Sequence, residues 1–173
     1  MTQSFVLTFV GPDQPGLVEK IARVVHRHGG NWLESRMSQL AGQFAGIARV
    51  SIEARDAAAL QTALEALSDG VLTVVVRAST AAMAASDSEM TLNILGPDRP
   101  GIVQEVSHAL ASCGINLLEM DTRVSSAPMS AEAMFEADAR VAVPAGLDLP
   151  ALEERLDDIA NRLSVDIALE PCS

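Results

Sequence analysis

A short turn that occurs twice in the chain has the residues best suited to bind a small charged molecule. The first turn is Gly11-Pro12-Asp13-Gln14-Pro15-Gly16, and the second is Gly96-Pro97-Asp98-Arg99-Pro100-Gly101. The carboxylates of Asp13 and Asp98 could accept hydrogen bonds from an ammonium group, and the free N–H groups of the following helix favour a carboxylate. Glycine at the start of the helix leaves room for a ligand to approach closely. The turns therefore predict two sites for a small zwitterion.

Two asparagines could complete these sites. Asn31 and Asn116 each open the strand that follows the helix, and an amide group both donates and accepts hydrogen bonds. Because the helix folds back after the turn, we expect this end of the strand to lie near the turn.

The same residues also fit a purely structural role. Asp13 and Asp98 could each cap the following helix by accepting the N–H of the glycine three residues later. The pattern Gly-x-Asn after a helix could equally be a simple stop signal. Duplication does not separate the two interpretations, because both copies would need the same caps.

The chain consists of two copies of one unit. At an offset of 85 residues, Gly11–Val18 aligns with Gly96–Val103, and the pattern Gly-x-Asn-x-Leu-Glu at Gly29 aligns with the same pattern at Gly114. Two copies are too few for a solenoid. Because an aperiodic segment of small residues separates the copies, we predict a first domain at 1–78, a linker at 79–88 and a second domain at 89–173.

Each copy has the element order βαββαβ, which places the chain in the α+β class. A β-prone run ends at Gly-Pro, and apolar residues then recur at i, i+4, i+7 and i+8, which predicts one buried face of a helix. This order predicts two ferredoxin-like domains, each an antiparallel sheet with both helices on one face. The later strands are predicted at 31–40, 43–53 and 71–77 in the first copy and at 116–124, 133–143 and 164–170 in the second.

The composition argues against several classes of protein. The 173 residues are 49% hydrophobic and 20% charged, which allows a folded core. The formal charge of −11 argues against direct binding to nucleic acid or to an anionic membrane. Two cysteines are too few for a disulfide framework. No signal peptide or membrane-length apolar run is indicated, so we expect a cytoplasmic protein.

No catalytic residue, metal or cofactor is predicted. His26 and His28 are two residues apart on a helix and point in different directions, and His108 has no second ligand nearby in the sequence. The chain shows no nucleophile motif, Walker loop, dinucleotide-binding loop or paired acid–base signature.

The duplicated motif resembles the ACT-domain family. Asp-x-Pro-Gly-[Leu/Ile]-Val, followed by a helix that ends in Gly-x-Asn inside a βαββαβ unit, is similar to the ACT domain, a small amino-acid-sensing module. Two ACT domains that each open with Gly-Pro-Asp-x-Pro-Gly are most similar to the glycine cleavage system transcriptional repressor group. This resemblance implies a regulator that contacts a separate DNA-binding activator, with glycine as the effector. The acidic charge agrees with contact to protein rather than to DNA.

The resemblance also implies which residues bind the ligand. Ligands of this family usually lie between two domains, so each site would draw on two surfaces, and a homodimer is expected. Arg99 favours the second copy for a ligand carboxylate, and the bulk of Trp32 near the first site suggests that the two sites differ. The positions that match the family's ligand loop and amide are Gly11, Asp13, Gln14, Pro15, Gly16, Leu17 and Asn31 in the first copy, and Gly96, Asp98, Arg99, Pro100, Gly101, Ile102 and Asn116 in the second.

Two other interpretations stay open. ACT domains of amino-acid-binding enzymes often carry Asn where Asp13 and Asp98 stand, so the chain could be a ligand-free ACT module for dimerisation and interaction. Formyltetrahydrofolate deformylases begin with similar ACT sequences, so the chain could also be a regulatory relative of that N-terminal domain.

Overall fold

Each half of the chain forms a four-stranded antiparallel sheet with two helices on one face. The computed structural model describes residues 1–79, 88–126 and 132–172, and the chain divides into unit 1, Met1–Ala82, and unit 2, Met83–Ser173. Unit 1 contains β1 (Thr2–Pro12), α1 (Leu17–Arg27), β2 (Asn31–Leu40), β3 (Gln43–Glu53), α2 (Ala57–Glu65) and β4 (Thr73–Ala78). Unit 2 contains β5 (Ser88–Pro97), α3 (Ile102–Ser112), β6 (Asn116–Ser126), β7 (Ala133–Val143), α4 (Leu149–Leu163) and β8 (Asp166–Pro171). The prediction of two ferredoxin-like βαββαβ domains is confirmed.

Both sheets have the same strand order. The order is β2-β3-β1-β4 in unit 1 and β6-β7-β5-β8 in unit 2, and all neighbouring strands are antiparallel. Because β3 is antiparallel to both of its neighbours, β2 runs in the same direction as β1. The helix between β1 and β2 therefore returns the chain to the end of the sheet at which β1 began.

Alternate residues of the central strand form the core with the helices. In unit 1, the buried side chains, all at most 5% exposed, include Phe5, Leu7 and Phe9 of β1 and Leu17, Ile21 and Val25 of α1. In unit 2, Ile102, Val106 and Leu110 of α3 are at most 3% exposed. Burial of each large aliphatic side chain contributes about 1.5–3 kcal/mol. The apolar helical face predicted from the sequence spacing is thus the face that packs on the sheet.

The last strand of each unit begins two residues later than predicted. The N–H groups of Val71 and Leu72 both donate to the carboxylate of Asp69, at 3.0 and 2.8 Å, so these residues belong to a turn rather than to β4. In unit 2, Ser164 ends α4 with a φ of 58°, and pairing starts at Asp166. Most of the predicted linker, residues 80–87, lies outside the described residues.

Candidate functional site

The predicted ligand loop of each unit leaves the sheet at the end of the central strand. The N–H of Asp13 donates to the carbonyl of Gly42 at 2.9 Å, and the N–H of Asp98 donates to the carbonyl of Ala133 at 2.8 Å. Each bond extends the pairing of the first and third strands by one step. The backbone of each aspartate is therefore held at the end of the central strand, and the chain leaves the sheet only after the aspartate.

Glycine, and not aspartate, occupies the N-cap position of each first helix. Gly16 precedes α1 with a φ of 89°, Gly101 precedes α3 with a φ of 100°, and neither helix has a side-chain cap hydrogen bond. The alternative that Asp13 and Asp98 are helix caps is therefore wrong. Their carboxylates form no hydrogen bond or ion pair with any residue that the structure describes. They remain able to accept hydrogen bonds from a ligand.

Two of the predicted loop glycines are buried and position the loop. A Cβ atom on Gly96 would lie 2.7 Å from the α-carbon of Val165, and one on Gly11 would lie 3.4 Å from the α-carbon of Leu72. The central strand thus passes close to the segment that leads into the last strand. Packing alone accounts for glycine at position 96.

The exposed part of each loop is a stretch of four residues. Asp13–Gly16 in unit 1 and Asp98–Gly101 in unit 2 are exposed to solvent. Leu17 and Ile102, which follow them, are 5% and 2% exposed and belong to the cores. The loop residues that a ligand could touch with their side chains are therefore the aspartate, the variable residue after it (Gln14 or Arg99) and the proline.

Two depressions flank the exposed loop of unit 1. One, of about 290 Å³, is lined by Asp13 and Gln14 together with Glu19 and Phe44. The other, of about 100 Å³, lies between the loop and the turn before β4 and includes Lys20 and Asp69. The second depression has charges of both signs, as recognition of a zwitterion requires.

The fourth residue of the first helix forms an ion pair in each unit, and its charge is opposite in the two units. In unit 1, Lys20 Nζ lies 3.2 Å from Asp69 Oδ2. Hydrogen bonds from the backbone N–H groups of Leu72 and Val71, and then from Lys20, lower the pKa of Asp69 to about 2. In unit 2, Glu105 takes the position of Lys20 in the repeat and pairs with Arg162. The electrostatic surroundings of the two loops therefore differ. Alignment of the two copies could have revealed this difference, because Lys20 aligns with Glu105 at the offset of 85 residues.

Each asparagine is separated from the loop of its own unit. Through β3, Asn31 is in register with Ser4, whereas the loop leaves β1 at Pro12, about 27 Å further along the strand. Asn116 is likewise in register, through β7, with Glu89 near the start of β5. The expectation that the asparagine lies near the turn is wrong, because α1 and α3 return the chain to the opposite end of the sheet. Within one unit, the loop and the amide cannot contact the same small ligand.

Trp32 is also remote from the loop. It is paired with Val50 and packs, half-buried, against the core of unit 1. The expectation that Trp32 lies near the first loop is therefore wrong, since the indole packs against the core at the far end of the sheet.

The remaining sequence candidates lie outside the loops. Nδ1 of His28 is 2.9 Å from the carbonyl of Val24, and Cys113 packs at the edge of the core of unit 2. Within the described ranges, no group of three or more His, Cys, Asp or Glu residues could hold a metal ion. In the same part of the chain, no helix is long and apolar enough to cross a membrane.

Comparison with known proteins matches the chain to one family and to solved structures that include two full-length relatives. The ACT-domain family model matches residues 3–76 and 88–170. The crystal structure of an unknown protein from Galdieria sulphuraria is 33% identical, covers 100% of both chains and has a TM-score of 0.89. The structure of a provisionally named glycine cleavage system transcriptional repressor is 20% identical, covers 100% of this chain and 99% of its own, and has a TM-score of 0.71. No curated protein matches the chain.

The family match falls on both copies of the repeat and spans nearly all of each unit. It agrees with the strand order of the two sheets and with the duplicated motif at the first helix. The chain belongs to the ACT-domain family, with one ACT domain in each unit.

Proposed function

We propose that the chain is a regulatory, non-catalytic protein that binds a small amino acid and thereby controls a protein partner. Its two ACT domains support a ligand-sensing role. The structural relative with a TM-score of 0.71 is named for the glycine cleavage system and for transcriptional repression, so glycine is the first ligand to test. The family resemblance of the sequence makes a DNA-binding activator the first partner to test. The net charge of −11 favours contact with protein over contact with DNA.

The observation that carries the proposal is the pair of unpartnered carboxylates beside the helix N-termini. In unit 2, Asp98 is followed by Arg99, which is exposed and has no ion-pair partner among the described residues. The carboxylate of Asp98 would accept the ligand ammonium. Arg99 and the first N–H groups of α3 would donate to the ligand carboxylate. The loop of unit 2 is therefore the preferred site for an amino acid with a free ammonium and a free carboxylate group.

The separation of loop and asparagine supports a site shared between two ACT domains. Because Asn116 lies about 27 Å along the sheet from the loop of its own unit, the amide at a given loop would come from another domain. A ligand held between two domains binds one packing of those domains more tightly than another. Binding would then shift the protein between partner-binding and free states, to the extent of that difference in affinity.

Isothermal titration calorimetry of the whole chain with a panel of amino acids tests the ligand. We expect saturable heat with glycine or another small amino acid, and a rise in melting temperature. A ligand at 100 times its Kd stabilises the folded state by about 2.7 kcal/mol. Absence of binding tighter than about 1 mM across the panel, together with no thermal shift, would contradict the proposal.

A double variant tests the residues. Asp98→Ala combined with Asn116→Ala should abolish binding while urea unfolding remains cooperative. The matched control is Asp157→Ala combined with Asn161→Ala, which removes the same two side-chain types from exposed positions of α4. Binding that survives in the first variant, or is lost in the control, would show that the ligand binds elsewhere.

A pull-down with the whole chain, in the presence and absence of glycine, tests the partner. We expect a DNA-binding protein, identified by mass spectrometry, whose captured amount changes with glycine. The Asp98→Ala/Asn116→Ala variant should capture the same protein without responding to glycine. If no amino acid changes the captured amount, the chain binds its partner without sensing a ligand, which would contradict ligand control of the partner.

A ligand-free interaction module is the second candidate, and the loop aspartates favour it. A carboxylate at position 13 or 98 repels a ligand carboxylate, and the depression beside Asp13 also contains Glu19. A protein that captures its partner but binds no amino acid would establish this alternative.

A further inference from the structure

The face of each sheet that points away from its helices, here called the outer face, differs sharply between the two units. The register defines three rows of four residues across each sheet, through Val6, Thr8 and Val10 in unit 1 and through Thr91, Asn93 and Leu95 in unit 2. Positions in corresponding rows are equivalent in the repeat. The two faces can therefore be compared residue by residue.

The outer face of unit 1 is basic and apolar. Among its twelve positions it has three arginines and one glutamate, and the glutamate, Glu34, pairs with Arg49 at 2.8 Å. Arg36 and Arg77 have no ion-pair partner among the described residues. Between them, Ile47 and Val75 are 48% and 41% exposed. The face presents two uncompensated cations around an exposed aliphatic patch.

The outer face of unit 2 is acidic. Its twelve equivalent positions have six carboxylates and two arginines. Asp121 stands at the position of Arg36, and Glu170 at the position of Arg77. Asp121 and Asp138 are directly opposite each other on neighbouring strands, and like charges so placed are destabilising. None of these three carboxylates has an ion-pair partner among the described residues.

The same division holds for the whole units. Unit 1 has seven Lys and Arg residues and seven Asp and Glu residues, so its formal charge is zero. Unit 2 has five and sixteen, and so has the entire charge of −11. An acidic surface that repels itself is stabilised by a cationic partner surface of matching spacing.

We infer that the outer face of unit 1 in one copy of the chain packs on the outer face of unit 2 in a second copy. This inference goes beyond the proposed function and gives the homodimer expected from the sequence a specific contact surface. In a two-fold symmetric dimer the contact occurs twice, because each copy supplies one face of each kind. Since Arg36 and Arg77 occupy the positions of Asp121 and Glu170, their spacing matches across the two sheets. Face-to-face packing about 10 Å apart then sets each arginine against a carboxylate.

Charge reversal in two separate variants tests this contact. Variant P is Arg36→Glu with Arg77→Glu, and variant Q is Asp121→Lys with Asp138→Lys and Glu170→Lys. In P both faces are acidic, and in Q both faces are basic. By sedimentation equilibrium we expect wild type to dimerise at low ionic strength, and P and Q each to dimerise at least roughly tenfold more weakly. An equimolar mixture of P and Q should form a heterodimer, since every contact then joins an acidic face to a basic one.

Matched controls change the same charges away from the sheets. The control for P is Arg27→Glu with Arg55→Glu, and the control for Q is Glu153→Lys with Asp157→Lys and Asp158→Lys, all at exposed positions. Both controls should dimerise as wild type does. Raising NaCl from about 50 mM to about 500 mM should weaken the wild-type dimer and the P–Q heterodimer alike. Urea unfolding of each variant establishes that it is folded.

Three results would overturn the inference. A monomeric wild type would remove the dimer itself, and normal dimers of P and Q would place the dimer contact on another surface. A third outcome is that dimerisation is restored when the P and Q changes are combined in one chain but not when P and Q are mixed. That outcome would show that the two faces meet within a chain. Amino-acid binding is measured separately: complementation of P by Q without any ligand binding would refute the ligand proposal alone.

Discussion

Replacement of Gly96 by alanine should destabilise unit 2 far more than the equivalent change at Gly11 destabilises unit 1. A Cβ at position 96 would lie 2.6 Å from Cγ1 and 2.7 Å from the α-carbon of Val165. The side-chain atom can rotate away, but the α-carbon cannot, so the segment before β8 must move. At position 11 the nearest atoms are the carbonyl oxygen of Val71 at 3.3 Å and the α-carbon of Leu72 at 3.4 Å, close to ordinary contact.

The difference in unfolding free energy between the two variants follows from these distances. Overpacking of this kind costs about 1–3 kcal/mol, and the lower freedom of alanine in the unfolded chain offsets about 0.4–1 kcal/mol. We therefore expect Gly96→Ala to lose about 1–2 kcal/mol and Gly11→Ala to change by less than about 0.5 kcal/mol. With a urea slope of about 1–3 kcal/mol per molar, the larger loss lowers the midpoint by roughly 1 M.

Two spectroscopic signals separate the units in one urea titration. Trp32 is the only tryptophan of the chain and packs against the core of unit 1, so its fluorescence reports the unfolding of that unit. Far-ultraviolet circular dichroism reports both units. At about 500 mM NaCl, where the dimer inferred above is weakened, Gly96→Ala should move only the part of the dichroism transition that belongs to unit 2 and should leave the fluorescence midpoint unchanged.

Equal losses at both glycines, or a Gly96→Ala protein as stable as wild type, would refute the packing argument. A variant that keeps its stability but loses amino-acid binding would instead give Gly96 a direct role at the ligand. The same titration therefore distinguishes a structural loop glycine from one that is needed for ligand approach.

Three further predictions concern the loops and the turn beside them. Gly101→Ala should cost about 1–2 kcal/mol, measured by urea unfolding, because the φ of 100° is strained for alanine even though the space around its Cβ is open. Asp98→Ala should leave the free energy of unfolding within about 0.5 kcal/mol of wild type, whereas Asp148→Ala should lose about 1 kcal/mol, since Asp148 accepts the N–H of Ala151 at the start of α4. Asp69→Asn should be less stable than wild type above about pH 4, and the difference should shrink as the pH falls towards about 2. The pKa of Asp69 is about 2 in the folded state and 3.8 as the ordinary value, so its ionised form stabilises the fold only above that window.

Much of the fold could be predicted from local periodicity. The bounds of β2, β3 and β7 agree with the predicted ones, and Gly30 and Gly42 mark β2 and β3 independently of tertiary contacts. The start of β4 was not predictable in this way. Val71 is as β-prone as the residues after it, but the two hydrogen bonds to the Asp69 carboxylate, together with one from the Asp69 N–H to the Leu72 carbonyl, hold Val71 and Leu72 in a turn. Side-chain hydrogen bonds of this kind override strand propensity, and no periodic pattern in the sequence indicates them.

The candidate site was harder to predict because it depends on chain direction. The motif places Asp13 and Gly16 correctly at the first helix, but the predicted fold-back of α1 carries the chain along the whole length of β1 and not merely to the turn. That return puts Asn31 at the opposite end from the loop. The capping interpretation failed for a different reason: glycine in the left-handed conformation takes the N-cap position itself, which leaves the aspartate side chain unused.

The net charge of −11 does not by itself exclude binding of an anionic surface by unit 1. It belongs to unit 2, so a neutral unit 1 with exposed arginines could bind an anionic surface of its own. Arg36 and Arg77 lie on the two edge strands β2 and β4, and these strands are three strand spacings or about 14 Å apart, with Ile47 and Val75 between the arginines. A nucleic-acid backbone needs a continuous run of cations and gains little from an aliphatic centre. A folded acidic surface with carboxylates at the same spacing can pair with both arginines, and unit 2 of a second copy has such a surface.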